Sequence, residues 1–231
     1  MRQDRVNGII IGILYIVAAV TSVIAVVYYQ PVLSDQWYMS VVDGFETKVL
    51  IGVLNDLFLV VAAIGTAVML FPYLRSWNER IALGYLCFRF MEAIFIAIGL
   101  ISILGLLHLS LYYEADNLNS ESLHALGLML QSFHRWTFML GPNLMLGLNT
   151  VMYSYLLFKT GLVPKPLAQY GMISAILVFV AGLLDMFGIV EPISAAKGLI
   201  ALPVGVYEMS LAVWLIVKGF HNQNLEKLKV N

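Results

Sequence analysis

The sequence predicts an all-α polytopic membrane protein, a six-transmembrane-helix bundle with both termini in the cytoplasm. Three observations predict it. The 231 residues are 61% hydrophobic and only 12% charged, whereas an ordinary soluble domain carries about 25% charged residues. Six apolar runs, at about 8–29, 48–71, 81–107, 133–158, 167–187 and 198–217, are long enough to cross a ~30 Å hydrocarbon core as helices. The basic residues then fall on one side. With the N-terminus inside, Arg2, Arg5, Arg75, Arg80, Lys159, Lys165, Lys218, Lys227 and Lys229 are cytoplasmic, and only Lys48, Arg135 and Lys197 lie outside.

Each element follows from its own residues. The first run begins after Arg5, and its apolar length exceeds the ~7–15 residues of a signal-peptide core, so it reads as a retained span. Gly8 and Gly12 form a ridge of small residues suited to close helix approach. The connection 30–47 is polar, and its Trp37 and Tyr38 suit a membrane interface. The second run carries Asn55 and Asp56 near its start and ends at Pro72. The third carries Arg89 and Glu92 well inside it.

The stretch 121–131 has apolar residues at helical spacing. It reads as an interfacial helix or as an outer extension of the fourth span. That span holds Gly141, Pro142, Asn143 and Asn149, and its proline implies a kink with freed backbone groups to satisfy. Gly161 is placed to cap its end, and Pro164 blocks continuation. The fifth run ends near Asp185, and the sixth holds Pro203 and Glu208. The whole of 1–231 reads as one transmembrane domain.

Composition also excludes function classes. A net charge of -1 provides no basic field for nucleic acid. Cys87 is the single cysteine, and His108, His124, His134 and His221 share no metal-ligand spacing. No metal site and no cofactor motif is expected.

Charged groups at bilayer depth cost several kcal/mol each, about 2.5–3.5 even on lenient scales. They must therefore pair, face the bundle interior or line a wet cavity. Arg89, Asn149 and Glu208 each lie ten residues from a cytoplasmic span end, or about 15 Å deep at 1.5 Å per residue. Glu92 and Tyr85 share the Arg89 face at i+3 and i−4. A polar seam is expected to begin at Arg89, Glu92, Asn149 and Glu208. It opens outward past Asp56, Asn143, His134, Arg135 and Asp185. The plainer alternative stays open: Arg89 only pins helices together, the asparagines are interhelical glue, and His134, Asp56 and Asp185 are boundary residues.

Four stretches carry a family resemblance. They are Arg5 with the start of the first span, Arg89-Phe-Met-Glu92, Leu140-Gly-Pro-Asn-Leu-Met-Leu-Gly-Leu-Asn149 running on to Pro164, and Leu202-Pro-Val-Gly-Val-Tyr-Glu208 running on to Phe220. Over nearly the whole chain these resemble a widespread family of bacterial six-helix membrane proteins described as a domain of unknown function. The resemblance implies a bacterial inner-membrane location, and it supplies no activity.

Three functions are open at this stage. The first is binding or transport of a small molecule or lipid through the polar seam, with membrane lipids as surroundings and a homodimer needed for a full pathway. Broken helices near the midplane favour it. The second is an intramembrane enzyme acting on a lipid or peptide with buried carboxylates. The third is a structural or regulatory subunit.

Overall fold

A computed structural model describes residues 2–33, 45–115, 120–190 and 195–230. The helices are α1 (Arg2–Tyr29), α2 (Phe45–Arg75), α3 (Glu79–Ala115), α4 (Ser120–Phe138), α5 (Leu146–Thr160), α6 (Lys165–Met186), α7 (Ala195–Val217) and α8 (Asn222–Val230). No strand occurs among the described residues. Trp37 and Tyr38, read above in the connection 30–47, lie outside the described residues.

Five helices are long and apolar enough to cross a membrane: α1, α2, α3, α6 and α7. The fourth run differs from expectation. Its helical path is unbroken from Ser120 to Thr160, well beyond 133–158, and it is divided by a π-helical segment, Met139–Met145. The stretch 121–131 is therefore an extension of that rod.

Pro142 explains the division. It has no N–H for the Phe138 carbonyl, its α-helical partner. The π-helical i→i+5 pairing turns that carbonyl to Asn143, whose side chain adds a further donor, Nδ2 donating to Phe138 O at 3.1 Å. Such π segments concentrate at functional sites.

Counting α4, the π segment and α5 as one, six rods form a ring in chain order. Each packs on the next, and α7 returns to α1. Close backbone approach closes that last seam. A Cβ on Gly12 would stand 2.7 Å from Ala212 O, so only glycine fits there.

One end of the ring is sealed. Arg5, in the first turn of α1, donates to the carbonyls of Leu215, Ile216 and Val217 at the end of α7. These are carbonyls that a helix C-terminus leaves without partners. Gly161 (φ 63°) ends α5 in the left-handed conformation, as its position predicts. Its carbonyl then accepts from Asn224 Nδ2 at 2.8 Å, docking α8 against the α5–α6 turn. Above this end lies a tyrosine layer in which Tyr15, Tyr85, Tyr153 and Tyr207 are all fully buried. Tyr153 stacks on Tyr207 with centroids 5.9 Å apart and meets Tyr85 edge-on at 5.2 Å.

Candidate functional site

Arg89 rests on that tyrosine layer. Its guanidinium lies 5.9 Å from the Tyr15 ring centroid, within cation–π range. Only 2% of the residue is exposed. One nitrogen, Nη1, serves two carboxylates: Glu92 Oε2 at 3.1 Å on its own helix, and Glu208 Oε1 at 3.5 Å on α7. The i, i+3 spacing places the first, and ring closure brings up the second.

Asn149 completes the cluster from α5. Its Nδ2 donates to Glu92 Oε2 at 2.7 Å and to Met145 O at 2.8 Å. Glu92 is thus held from two helices. Glu208 is looser, with 14% of its side chain exposed.

That exposure opens onto a cavity of about 400 Å³. Its polar lining at the deep end is Arg89, Glu92 and Glu208. Toward the other end of the ring it meets Asp56, Tyr29 and His134. There the Tyr29 hydroxyl donates to Asp56 Oδ2 at 2.8 Å, and the Tyr29 ring stands edge-on to His134 at 5.6 Å. His134 Nδ1 lies 3.3 Å from Gly99 O, and a carbonyl only accepts, so Nδ1 carries the hydrogen. Gly99 is ten residues beyond Arg89 on α3, so the two polar stations are about 15 Å apart along the bundle. The cavity does not extend into the sealed half.

The walls between the stations are mostly apolar, with Ala18, Leu59, Phe95 and Ile96 among them. Val23 and Val27 of α1 line the cavity yet are each 65% exposed on the outside of the ring, and Phe138 is also exposed. The cavity therefore reaches the outside of the bundle at Val23, Val27 and Phe138, as well as toward one end.

Five of the sequence-predicted residues line this cavity: Arg89, Glu92, Glu208, Asp56 and His134. The other five do not. Asn149 acts behind Glu92, and Asn143 is spent on the Phe138 carbonyl. Tyr85 is in the tyrosine layer, where its hydroxyl closes no hydrogen bond of normal geometry among the described residues. Arg135 and Asp185 pair with each other at 3.4 Å, away from the lining.

Sequence reasoning missed Tyr29, Ser22 and the tyrosine layer. A signal existed for the layer. Tyrosine favours membrane interfaces, yet Tyr15, Tyr153 and Tyr207 sit inside apolar runs at similar depth.

The serine and threonine hydroxyls at the cavity are engaged with backbone. Ser22 Oγ donates to Ala19 O at 2.9 Å, and Thr137 Oγ1 donates to His134 O at 2.9 Å. No group of three or more metal-ligating side chains occurs among the described residues. The lining combines the charged groups named above with apolar walls.

The family described as a domain of unknown function, DUF4386, matches residues 10–219. The chain belongs to this family. The match covers every residue of the cavity and of the tyrosine layer, and leaves out Arg5 and all of α8. No curated protein and no solved structure matches the chain. Membership of DUF4386 thus accounts for the whole ring while assigning no activity to it.

Proposed function

We propose that this DUF4386 member is a six-span protein of the bacterial cytoplasmic membrane, with both termini inside, that binds and moves a small molecule or lipid through the cavity. One observation carries this reading. The buried Arg89–Glu92–Glu208 cluster faces an open cavity of about 400 Å³, a size within the ~300–1,000 Å³ range of ligand pockets. Charged groups that only pinned helices together need no such space. With the basic residues inside, the cavity faces the outer leaflet, the side to which the polar seam opens.

The test is native mass spectrometry of the protein extracted in mild detergent. Wild type is expected to carry a bound mass, and Ser22→Trp, which fills the cavity from α1, is expected to lose it. A bound mass unchanged by Ser22→Trp, or a bare wild-type chain, overturns the reading. The same spectrum counts copies, and a full pathway calls for two.

A further inference from the structure

The charges lining the cavity do not balance. Arg89 contributes one positive charge, while Glu92, Glu208 and Asp56 contribute three negative ones. With His134 counted neutral, the lining is formally −2. The neighbouring pair Arg135–Asp185 cancels itself. In a cavity with few polar walls this imbalance is weakly screened and acts strongly on any charged ligand.

The two deep carboxylates are not equivalent. Glu92 is saturated by Arg89 at 3.1 Å and Asn149 at 2.7 Å. Glu208 has one ion-pair contact among the described residues, at 3.5 Å, and its side chain reaches the open space. It therefore keeps acceptor capacity for a ligand donor. Aromatic rings at the lining, Tyr29 and Phe95, also attract cations through their faces.

Shape adds a second constraint. The cavity runs about 15 Å between the stations. That is a slot for an elongated molecule. Its sideways mouth at Val23, Val27 and Phe138 is apolar and faces the bilayer.

We propose that the cavity selects an amphipathic monocation, a protonated or quaternary amine with an apolar tail, its head at Glu208 and its tail directed to the apolar mouth at Val23, Val27 and Phe138. This rests on the cavity being a ligand site, as argued above. Asp56 is the outer attraction point on the way in. One feature favours the opposite sign: Arg89 Nε is buried and unpartnered among the described residues, which suits an anionic acceptor. The experiment decides between them.

The full chain is placed in phosphatidylcholine nanodiscs and tested by equilibrium dialysis against decyltrimethylammonium, decyl sulfate and decanol, with empty nanodiscs subtracted. The three probes share a tail and differ in head charge. Wild type is expected to hold the cation at least tenfold more tightly than either other probe. Glu208→Gln is expected to weaken cation binding at least tenfold and leave decanol unchanged, while Glu208→Asp retains more of it. Tighter decyl sulfate, equal binding of cation and decanol, or a cation preference undiminished in Glu208→Gln overturns the proposal. If Glu208→Gln does not fold, the wild-type order of the three probes decides alone. Ser22→Trp separates the two levels. Loss of all binding in Ser22→Trp without a charge preference in wild type defeats only the head-group assignment. Binding of all three probes unaffected by Ser22→Trp defeats the ligand site, and the head-group assignment with it.

Discussion

Asn149 on α5 donates its side-chain amide to the Glu92 carboxylate on α3 across 2.7 Å. The contact joins α3 to the π-segment rod, and it holds the Glu92 oxygen that also accepts from Arg89. Hydrogen bonds to charged groups contribute about 1.5–3 kcal/mol. Asn149→Leu is expected to lower stability by about that much. Asn149→Asp is expected to lose more, because it sets a second carboxylate against Glu92. Melting temperature in detergent checks the order wild type, Leu, Asp; an Asp variant as stable as wild type contradicts the assigned contact.

Arg89 is the cation both deep carboxylates depend on. Removing one partner of a buried ion pair costs about 3–5 kcal/mol, because the remaining charge is left uncompensated. Arg89→Met is therefore expected to be severely destabilised. Arg89→Met combined with Glu92→Leu and Glu208→Gln is expected to recover most of the loss. Unfolding in mixed micelles measures both, and a triple variant no better than the single removes the ion-pair explanation.

Two glycines on facing helices should respond in opposite directions. A Cβ on Gly171 would meet Tyr207 Cζ at 2.2 Å and Ser154 Oγ at 2.5 Å, wedging apart the hydroxyl pair those residues form at 2.8 Å. Gly171→Ala is expected to cost about 1–3 kcal/mol as overpacking. Gly205 meets nothing within 4 Å and lies inside α7, so Gly205→Ala is expected to gain about 0.5–1 kcal/mol from helix propensity. Paired melts of the two variants read the contrast.

Pro142 and Asn143 form one device, in which the second repairs what the first removes. Asn143→Leu is expected to cost about 0.5–1.5 kcal/mol, the loss of one side-chain hydrogen bond to the Phe138 carbonyl. With Pro142→Ala present, a backbone N–H returns and the cost of Asn143→Leu should shrink. A double-mutant cycle measures the coupling; strict additivity of the two changes contradicts the device.

Orientation is tested through a single thiol. Cys87 is exposed on the ring's outer surface, so a Cys87→Ser background is needed. In that background Lys48→Cys is expected to react with an impermeant maleimide in intact cells. Lys218→Cys is expected to react only after the membrane is opened. The reverse pattern turns the bundle over.

Much of the ring was legible because the bilayer imposes length. Five of the six apolar runs coincide with helices of spanning size, and matching depths linked Arg89, Asn149 and Glu208 before any contact was known. The spacing i, i+3 alone placed Glu92 beside Arg89. What stayed hidden was which face of each helix turns inward. Lipid and core are both apolar, so no periodicity marks the difference, and Val23 could not be told from Ile11. The pairing of Arg135 with Asp185, the reach of Tyr29 to Asp56 and the use of Asn143 inside its own helix all depend on that rotation. The helix over 121–131 was legible from its apolar spacing, but its polar outer turns left it open between an interfacial helix and the extension of the fourth span that α4 is.

The ring closes only when its last rod meets its first, and this sets an order for synthesis. α3 is complete long before α5 and α7 leave the ribosome, so Arg89 has neither Asn149 nor Glu208 nearby when it first enters the membrane. Glu92 is already one turn away on the same helix. The cis pair is thus a built-in escort that lets a charged segment insert early. Glu208 arrives last, finds the arginine already engaged, and is left as the carboxylate with capacity to spare.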